Sequence, residues 1–375
     1  MERLKDLTPF YVMDILKKAS AYEDTIHFEI GAPDLSPSPK VQEALLEAVK
    51  KKRFFYTPSD GLFELKERIC RHYEKVYNVK IDPANIFITP GSSGAFLMAY
   101  ALTLDSGMSL GMSDPGYPAY KNIALTLAIE PKPIKVYPTS NYCIQPDQIE
   151  GIDALQISNP ANPTGTIYDD TLLFSLIDRC AKKGVHFICD ELYHGLTYET
   201  TPQTALAYSK DIFVVSGFSK YFCMPGLRLG WLYVPDRFVQ KAHMLAQNLF
   251  LSAPTLSQYA ALEAFDYDYL KKVRATYQKR RDFLYDRLIE LFTIPVKPQG
   301  AFYIWADVSR FDEDSFAFAE ELLNATHVAI TPGRDFGTNE THRFVRFAFT
   351  NEIEMMEEGI ERIRRYLRAR SAAKM

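Results

Sequence analysis

Short apolar runs alternate with helix-like segments through the middle of this chain, and this alternation limits the possible folds more than any other feature. Each run is rich in apolar or β-branched residues and is bounded by Gly, Pro, Asn or Asp. Five runs have this character: Ile86–Thr89, Ser109–Met112, Leu155–Ser158, Val185–Cys189 and Ile212–Ser216. The segments between them, such as Gly94–Leu104 and Asp170–Lys183, are typical of helices. Short buried strands alternating with helices predict an α/β fold with a mostly parallel sheet.

The pattern changes near residue 266. A long charged helix is predicted over Asp266–Phe292, followed by the sequence GAFYIW from Gly300 and by an amphipathic helix at the C-terminal end. We therefore expect a large domain over residues 41–265 and a smaller domain built from residues 1–40 and 266–375. A length of 375 residues suits two domains.

Charge and cysteine content narrow the functional classes. The net charge of −4 argues against a nucleic-acid or anionic-membrane partner, since either would favour a basic excess. No apolar run approaches the ~18–20 residues of a membrane span, and the start MERLKDLTPF lacks the apolar core of a signal peptide. The five cysteines are widely spaced and form no CxxC pair, which predicts neither a disulfide framework nor a metal site. A reducing cytoplasm is the expected location.

Candidate binding groups follow the predicted strands, because ligands of open α/β sheets bind beyond the carboxyl ends of the strands. After the first run, Pro90-Gly91-Ser92-Ser93-Gly94 opens a helix whose N-terminus could bind an anion, although a simple helix cap explains it equally well. After the second run, a tight turn presents Tyr117, which could also be a packing residue.

The next three strand ends carry stronger signals. Residues 158–165, SNPANPTG, contain two Asn-Pro steps that can continue neither a strand nor a helix. Asp190 directly follows an apolar run, with Tyr193 three residues later, although an Asp there is often a helix cap. Lys220 lies in a mostly apolar stretch with Arg228 eight positions later. A surface lysine is the common case, but a desolvated lysine has a lowered pKa and becomes a nucleophile.

Taken together, these segments resemble the class I/II aminotransferases that use pyridoxal 5′-phosphate, of fold type I, which include the aspartate aminotransferases. The resemblance extends from Gly31 to Arg346 and rests on motifs in the family's order: GSSG, DPGYP, NPANPTG, DELY, SGFSKYFCMPGLRLG and FVRFAF. It implies a three-layer α/β/α large domain, a smaller α+β domain, pyridoxal 5′-phosphate as cofactor and no metal.

The resemblance also implies roles for the residues that match these motifs. Lys220 would bind the cofactor covalently and move a proton between it and the substrate α-carbon. Asp190 would pair with the pyridine nitrogen and keep it protonated, so that the ring can accept electrons. Tyr193 and Asn162 would hydrogen-bond the phenolic oxygen of the cofactor. The residues implied to hold the phosphate are Ser92, Ser93, Ser219 and Arg228.

The remaining implied roles concern the ring, the substrate and a second subunit. Tyr117 would stack on the pyridine ring. Arg346 would bind the substrate α-carboxylate, helped by the Gly31 backbone and by Asn162. Tyr56 would reach the phosphate in the neighbouring subunit, which implies a homodimer with shared active sites.

Three positions depart from the usual family pattern. Gly217 stands three residues before Lys220, where many relatives have Ser, and one hydroxyl to the phosphate could be missing. Ala32 replaces an acidic residue, and Leu227 stands where many relatives carry Trp. None of the three departures removes a catalytic group.

The resemblance favours transfer of an amino group between an L-amino acid and a 2-oxo acid by a ping-pong mechanism, with aspartate as the favoured donor. Arg334 is a candidate for binding a second substrate carboxylate, although a surface role is the simpler interpretation. A carbon–sulfur β-lyase or another enzyme with the same cofactor and fold is the alternative. A DNA-binding regulator is disfavoured, because only about 30 residues precede Gly31 and no basic cluster is present. A catalytically inactive interaction protein is disfavoured because Lys220, Asp190 and Arg228 are all present.

Overall fold

A computed structural model describes residues 4–373 of the chain and confirms the predicted α/β class. The described residues contain eleven α-helices: α1 Tyr11–Ala19, α2 Pro39–Lys50, α3 Phe63–Tyr77, α4 Gly91–Thr103, α5 Pro118–Thr126, α6 Asp170–Lys183, α7 Val239–Leu249, α8 Thr255–Ala261, α9 Tyr267–Leu288, α10 Ser315–Thr326 and α11 Ile353–Ala373. They also contain twelve strands: β1 Ile26–His27, β2 Ile86–Pro90, β3 Ser109–Asp114, β4 Glu130–Lys135, β5 Ala154–Ser158, β6 His186–Asp190, β7 Phe213–Gly217, β8 Leu229–Tyr233, β9 Tyr303–Asp307, β10 Val328–Ala329, β11 Thr331–Pro332 and β12 Phe344–Ala348.

Seven strands form the central sheet in the order β2-β8-β7-β6-β5-β3-β4. Strands β3 to β7 pair in parallel, whereas β8 is antiparallel to both of its neighbours. The parallel strands therefore end at one common edge. Ser158 at the end of β5 is level with Asp190 at the end of β6, which brings the loops after these strands together.

Helices cover both faces of this sheet, as the three-layer architecture requires. Along β2, Phe87 points into one apolar cluster while Ile86 and Ile88 point into another. The first cluster packs α4, α5 and α7 against the sheet, and the second packs α3 and α6 against the opposite face. Burial on both faces explains why the strands read as continuous apolar runs rather than as alternating ones.

Helix α6 shows how local sequence sets an element. It begins after Asp169, whose carboxylate accepts the N–H of Leu172 at 2.8 Å, and it ends at Gly184 in the left-handed region at φ +69°. A capping carboxylate and a terminal glycine are the usual start and stop signals of a helix. The observed range agrees with the predicted one, Asp170–Lys183.

The remaining strands form two smaller sheets outside the central one. Strands β11, β12 and β9 make an antiparallel sheet, and the short strand β1 pairs in parallel with β10. An apolar cluster packs α9, α10 and α11 against these strands. The β1–β10 pair joins the N-terminal region to the C-terminal part, as the predicted division at residues 40 and 265 supposes. That division stays a prediction, and residues 1–3 and 374–375 lie outside the described part of the chain.

None of the helices within residues 4–373 combines the length and apolarity needed to cross a bilayer. In the same range, no group of three or more His, Cys, Asp or Glu side chains is arranged to hold a metal ion.

Candidate active site

Asp190 is a buried carboxylate at the end of β6. Only 3% of it is exposed, and it accepts hydrogen bonds from the Leu192 N–H at 2.9 Å and from the Tyr120 hydroxyl. Burial raises the pKa of Asp190 to about 6, while the two hydrogen bonds and the charge of Lys220 act in the opposite direction. Asp190 therefore caps the turn after β6, as its position in the sequence also allowed. One carboxylate oxygen contacts only a neutral phenol, so the group can still pair with a cationic N–H.

Lys220 lies in the loop after β7 and is desolvated. Its Nζ donates to the Gly31 carbonyl at 2.6 Å and lies 5.8 Å from the centre of the Phe302 ring. Burial lowers the pKa of Lys220 to about 8, and the charges of Arg346 and Arg228 add to this effect, whereas Asp190 opposes it. A substantial fraction of this amine is neutral near pH 8, which is the condition for attack on a carbonyl.

Arg346 on β12 has a buried guanidinium that neighbouring residues hold in place. Its Nη1 donates to Oδ1 of Asn162 at 3.0 Å, and its Nη2 donates to the Glu29 carbonyl at 2.9 Å and to Oγ1 of Thr331 at 3.3 Å. The guanidinium carbon lies 4.1 Å from the centre of the Tyr303 ring. The Nε atom is buried and has no hydrogen-bond partner among the described residues. An orphan guanidinium N–H in such a place suits an anionic ligand.

Gly31 lies next to both Lys220 and Arg346, and Tyr193 belongs to the same cluster through its contact with Tyr303. The Tyr193 hydroxyl lies 2.7 Å from the Tyr303 hydroxyl. A Cβ atom on Gly31 would lie 2.8 Å from that same Tyr303 oxygen and 3.5 Å from Nη2 of Arg346. Glycine is therefore the residue that leaves room for both groups at this position. The structure thus brings together Lys220, Gly31, Tyr193 and Arg346.

The first turn of α4 and the Arg228 loop form a second part of the site. A Cβ on Gly91, which has φ +72°, would lie 2.7 Å from Nη2 of Arg228. A Cβ on Gly230 would lie 2.7 Å from the backbone nitrogen of Ser92. These two glycines let Arg228 and the N-terminus of α4 approach each other. Free N–H groups at a helix N-terminus and a guanidinium together favour an anion.

The three serines predicted to bind the phosphate lie on α4 and beside Lys220. Ser92 and Ser93 are in the first turn of α4, which begins three residues earlier than predicted, and Ser219 is buried beside Lys220. Gly217, where relatives have Ser, has little space, since a Cβ would lie 3.2 Å from the Gly230 Cα and from the Leu229 carbonyl. The pairing of β7 with β8 at Gly217 and Gly230 thus leaves little room for a serine side chain at position 217.

Tyr117 is half-buried at the start of α5. Its ring centre lies 6.1 Å from that of Phe10 and 5.4 Å from that of Tyr120, which it meets edge-on. Burial raises the pKa of Tyr117 to about 12, and the neighbouring Tyr303 and Asp190 contribute to this shift. The phenol therefore stays neutral, and its ring lies close enough to Asp190 for the carboxylate to affect its pKa.

Two predicted residues lie outside this cluster. Tyr56 is 78% exposed in the loop between α2 and α3, and within residues 4–373 no hydrogen bond joins it to the cluster. Arg334 is half-exposed, and its Nε lies 3.5 Å from Oδ1 of Asp314. Arg334 thus lies at the surface of the chain, as in the simpler interpretation, and is paired with Asp314.

The structure also adds residues that were not predicted. Tyr120 follows Tyr117 by three residues on α5, and that helical spacing was the only signal for it. Tyr303 lies in the GAFYIW segment, for which the sequence alone predicts no role in the site. Arg346 contacts Thr331, which is 15 residues away along the chain, and the Glu29 carbonyl, which is 317 residues away. No local motif in the sequence reveals these contacts.

The residues present fit pyridoxal 5′-phosphate. Asp190 offers a buried carboxylate for a protonated ring nitrogen, and Lys220 offers an amine with a lowered pKa. The α4 N-terminus with Arg228 offers an anion site that side chains at Gly91 or Gly230 would obstruct. The five cysteines are all free thiols, and four of them are buried.

Comparison with known proteins agrees with this geometry. The chain is 36% identical over 373 residues to a valine–pyruvate aminotransferase of Mycobacterium tuberculosis, covering 96% of each chain. It is 28% identical to an aspartate aminotransferase of Pyrococcus abyssi, covering 98% of each. A crystal structure of an aminotransferase from Mycobacterium tuberculosis superposes with a TM-score of 0.94 at 34% identity, covering 97% of this chain and 98% of that one. The family model for aminotransferase class I and II matches residues 23–363, and this chain belongs to that family of fold type I enzymes.

Proposed function

We propose that this aminotransferase moves the amino group of an L-amino acid to a 2-oxo acid by a ping-pong mechanism that requires pyridoxal 5′-phosphate bound to Lys220. The observation that carries the proposal is the position of Lys220, a buried amine with a pKa lowered to about 8, in a site that also contains Asp190 and Arg346. When bound, the cofactor supplies an aldehyde for the amine and a ring that accepts electrons.

Lys220 and Asp190 do the proton chemistry in this proposal. The neutral Nζ of Lys220 attaches the cofactor and, once the substrate has displaced it, carries a proton to and from the substrate α-carbon. Asp190 keeps the ring nitrogen protonated through a buried charge-assisted hydrogen bond. Tyr120 and the Leu192 N–H hold the Asp190 carboxylate in place. Tyr193 and Asn162 donate to the phenolic oxygen, and Tyr117 covers one face of the ring.

Arg346 orients the substrate. Its guanidinium is held by Asn162, Glu29 and Thr331, so its remaining N–H groups can bind an α-carboxylate without much loss of side-chain entropy. The phosphate is proposed to bind Ser92, Ser93, Ser219 and Arg228, with the α4 dipole adding to the attraction.

The second subunit is proposed to complete the site through Tyr56. The loop that carries it exposes three aromatic residues in sequence, with Phe54 62%, Phe55 83% and Tyr56 78% exposed. Contiguous exposed apolar surface of this kind marks an interaction site. We therefore propose a homodimer in which Tyr56 of each subunit reaches the phosphate of the other.

The amino donor is the least constrained part of the proposal. Aspartate is the favoured donor, and four relatives named aspartate aminotransferase are 27% to 29% identical. An apolar donor such as valine is the second candidate, because Tyr303 and Phe336 lie against Arg346 and Arg334 is occupied by Asp314. The relative at 36% identity also carries valine in its name.

A donor panel tests the function and separates these candidates. The purified, cofactor-loaded protein is mixed with single amino acids, and the absorbance of the bound cofactor is followed. The proposal predicts conversion to the amine form of the cofactor by aspartate, and conversion by valine instead would correct the donor. Sustained release of pyruvate or ammonia without a 2-oxo acid acceptor would show a β-lyase.

The free cysteines are the basis for proposing a cytoplasmic location.

A further inference from the structure

We infer that Tyr303 is a positioning residue of this site: its hydroxyl donates to Tyr193, and this strengthens the hydrogen bond that Tyr193 gives to the cofactor. The inference rests on the proposed function, since it needs Tyr193 beside the phenolic oxygen of the cofactor. It assigns a role in tuning the protonation of the lysine–cofactor linkage to a residue of the small antiparallel sheet.

The geometry of the two phenols supports a direct contact. The oxygens of Tyr193 and Tyr303 are 2.7 Å apart, and the rings meet edge-on at 77° with centres 5.8 Å apart. Tyr193 is 4% exposed and Tyr303 is 1% exposed. A hydrogen bond between two groups so far removed from water is strong and well oriented.

The direction of this hydrogen bond follows from counting protons. A phenol has one hydrogen to donate. If Tyr193 donates its hydrogen to the cofactor oxygen, its own oxygen must accept, and Tyr303 is the donor in reach. Burial raises the pKa of Tyr303 and of Tyr193, so both phenols keep their protons. Each hydrogen bond in such a chain polarises the next one.

The ladder between β9 and β12 holds Tyr303 in place. Tyr303 lies opposite Ala348, two residues along β12 from Arg346, so the phenol ring and the guanidinium share one face of the sheet. The ring face thus lies against Arg346 at 4.1 Å while the hydroxyl reaches Tyr193. The two contacts use different parts of one side chain, and substitutions can separate them.

Gly31 gives the hydroxyl its space. Because a Cβ on Gly31 would lie 2.8 Å from the Tyr303 oxygen, Gly31→Ala should displace the hydroxyl while keeping the phenol. This variant gives a second way to break the contact, should Tyr303→Phe fold poorly.

The test is a spectrophotometric pH titration of the cofactor-loaded protein without substrate. A weaker hydrogen bond from Tyr193 leaves more negative charge on the phenolic oxygen, which then holds the proton on the Lys220 nitrogen more tightly. Tyr193→Phe should raise the pH midpoint of the absorbance change by about 1–2 units. Tyr303→Phe should raise it by roughly 0.1–0.6 unit, about 10–30% of that effect. In the double variant, the loss of the Tyr303 hydroxyl should add nothing.

Two controls make the test specific. Tyr277→Phe removes another buried hydroxyl of the same apolar cluster, one that donates to Asp34 at 3.0 Å, and should leave the midpoint unchanged. Tyr303→Phe keeps the ring under Arg346, whereas Tyr303→Leu removes it, so Tyr303→Leu should raise the KM for the amino acid more than Tyr303→Phe does.

The outcomes separate this inference from the proposed function. A shift with Tyr193→Phe but none with Tyr303→Phe or Gly31→Ala would overturn the inference alone. Additive shifts in the double variant would also overturn it, because the hydroxyls would then act independently. No shift with Tyr193→Phe would overturn the proposed role of Tyr193 together with the inference.

Discussion

At the scale of single residues, the site depends on burial that changes the chemistry of ordinary side chains. The same desolvation raises the pKa of Asp190 and lowers that of Lys220, so each group is nearer to neutrality than it would be in water. A carbonyl beside Lys220 would react with the neutral amine, whereas a cationic ring nitrogen beside Asp190 would favour the charged carboxylate again. Two residue-scale predictions follow from these pKa shifts.

The first concerns the rate at which the cofactor-free protein binds pyridoxal 5′-phosphate covalently. Since the neutral amine reacts, the rate should rise about tenfold per pH unit below pH 8 and level off above it. Lys220→Ala and Lys220→Arg should show no covalent binding, since an arginine stays protonated. Stopped-flow absorbance measures the rate. A rate that keeps rising to pH 10 would mean that Lys220 is not desolvated.

The second concerns the affinity for the cofactor at low pH. Asp190 has a raised pKa, so in the cofactor-free protein it is a carboxylate only above about pH 6 and loses its charge as the pH falls through that value. Cofactor affinity should therefore weaken below pH 6 in the wild type. Asp190→Asn should bind less tightly at pH 8 and lose this part of the pH dependence, which equilibrium dialysis can measure. Equal pH profiles for the two proteins would contradict the role of Asp190.

The site residues that follow strands were predictable, and those held by distant contacts were not. Asp190 comes directly after an apolar run and Lys220 lies four residues after another, so a rule about strand ends finds both. Tyr303 contacts Tyr193 across 110 residues of chain, and Tyr120 contacts Asp190 across 70. Such pairs depend on how the sheets pack, which no local pattern in the sequence contains.

At the scale of elements, the strand ends and one helix N-terminus build the site. The five predicted strands agree with β2, β3, β5, β6 and β7 to within two residues at either end. Strand β4 was missed because EPKPIK contains two prolines and is partly exposed, which is acceptable only at the edge of a sheet. Strand β8, LGWLY, is not among the predicted strands because it directly adjoins the motif that contains Lys220 and Arg228.

The crossing of α4 and β8 gives an element-scale prediction. Gly91→Ala should weaken cofactor binding roughly tenfold, because a Cβ would push Arg228 from its place and because φ +72° disfavours alanine by about 1–2 kcal/mol. Gly184→Ala is the matched control, since Gly184 has φ +69° and open space around it. Both variants should lose similar stability in urea unfolding, but only Gly91→Ala should lose affinity. Equal affinity in both would exclude a cofactor site at this crossing.

At the scale of the whole molecule, the proposed shared site requires two copies of the chain. The N- and C-terminal regions meet through β1 and β10, next to Gly31 and Arg346, so residues from both ends of the sequence enter one site. Tyr56 is exposed in a loop on the same chain and is proposed to act in the other subunit. A shared site predicts that subunits complement each other.

Mixing a Tyr56→Phe variant with an inactive Lys220→Ala variant tests the shared site. Tyr56→Phe alone should weaken cofactor binding about ten- to a hundred-fold, the effect of losing one charge-assisted hydrogen bond of roughly 1.5–3 kcal/mol. Hybrid dimers of Tyr56→Phe with Lys220→Ala contain one site with both residues intact, so activity should rise above that of either parent. Tyr137→Phe, at another exposed tyrosine, serves as the control and should bind cofactor normally. Activity that merely averages the parents would show that Tyr56 acts within its own subunit.

A single-turnover measurement on the cofactor-loaded protein tests most directly whether this enzyme transfers an amino group through a cofactor bound to Lys220. With excess amino donor and no acceptor, the account predicts one equivalent of 2-oxo acid per subunit, conversion of the bound cofactor to its amine form, and then no further reaction. Addition of a 2-oxo acid should restore the original absorbance, and Lys220→Ala should form no product. Continued release of 2-oxo acid and ammonia without an acceptor, or a normal turnover by Lys220→Ala, would contradict the account.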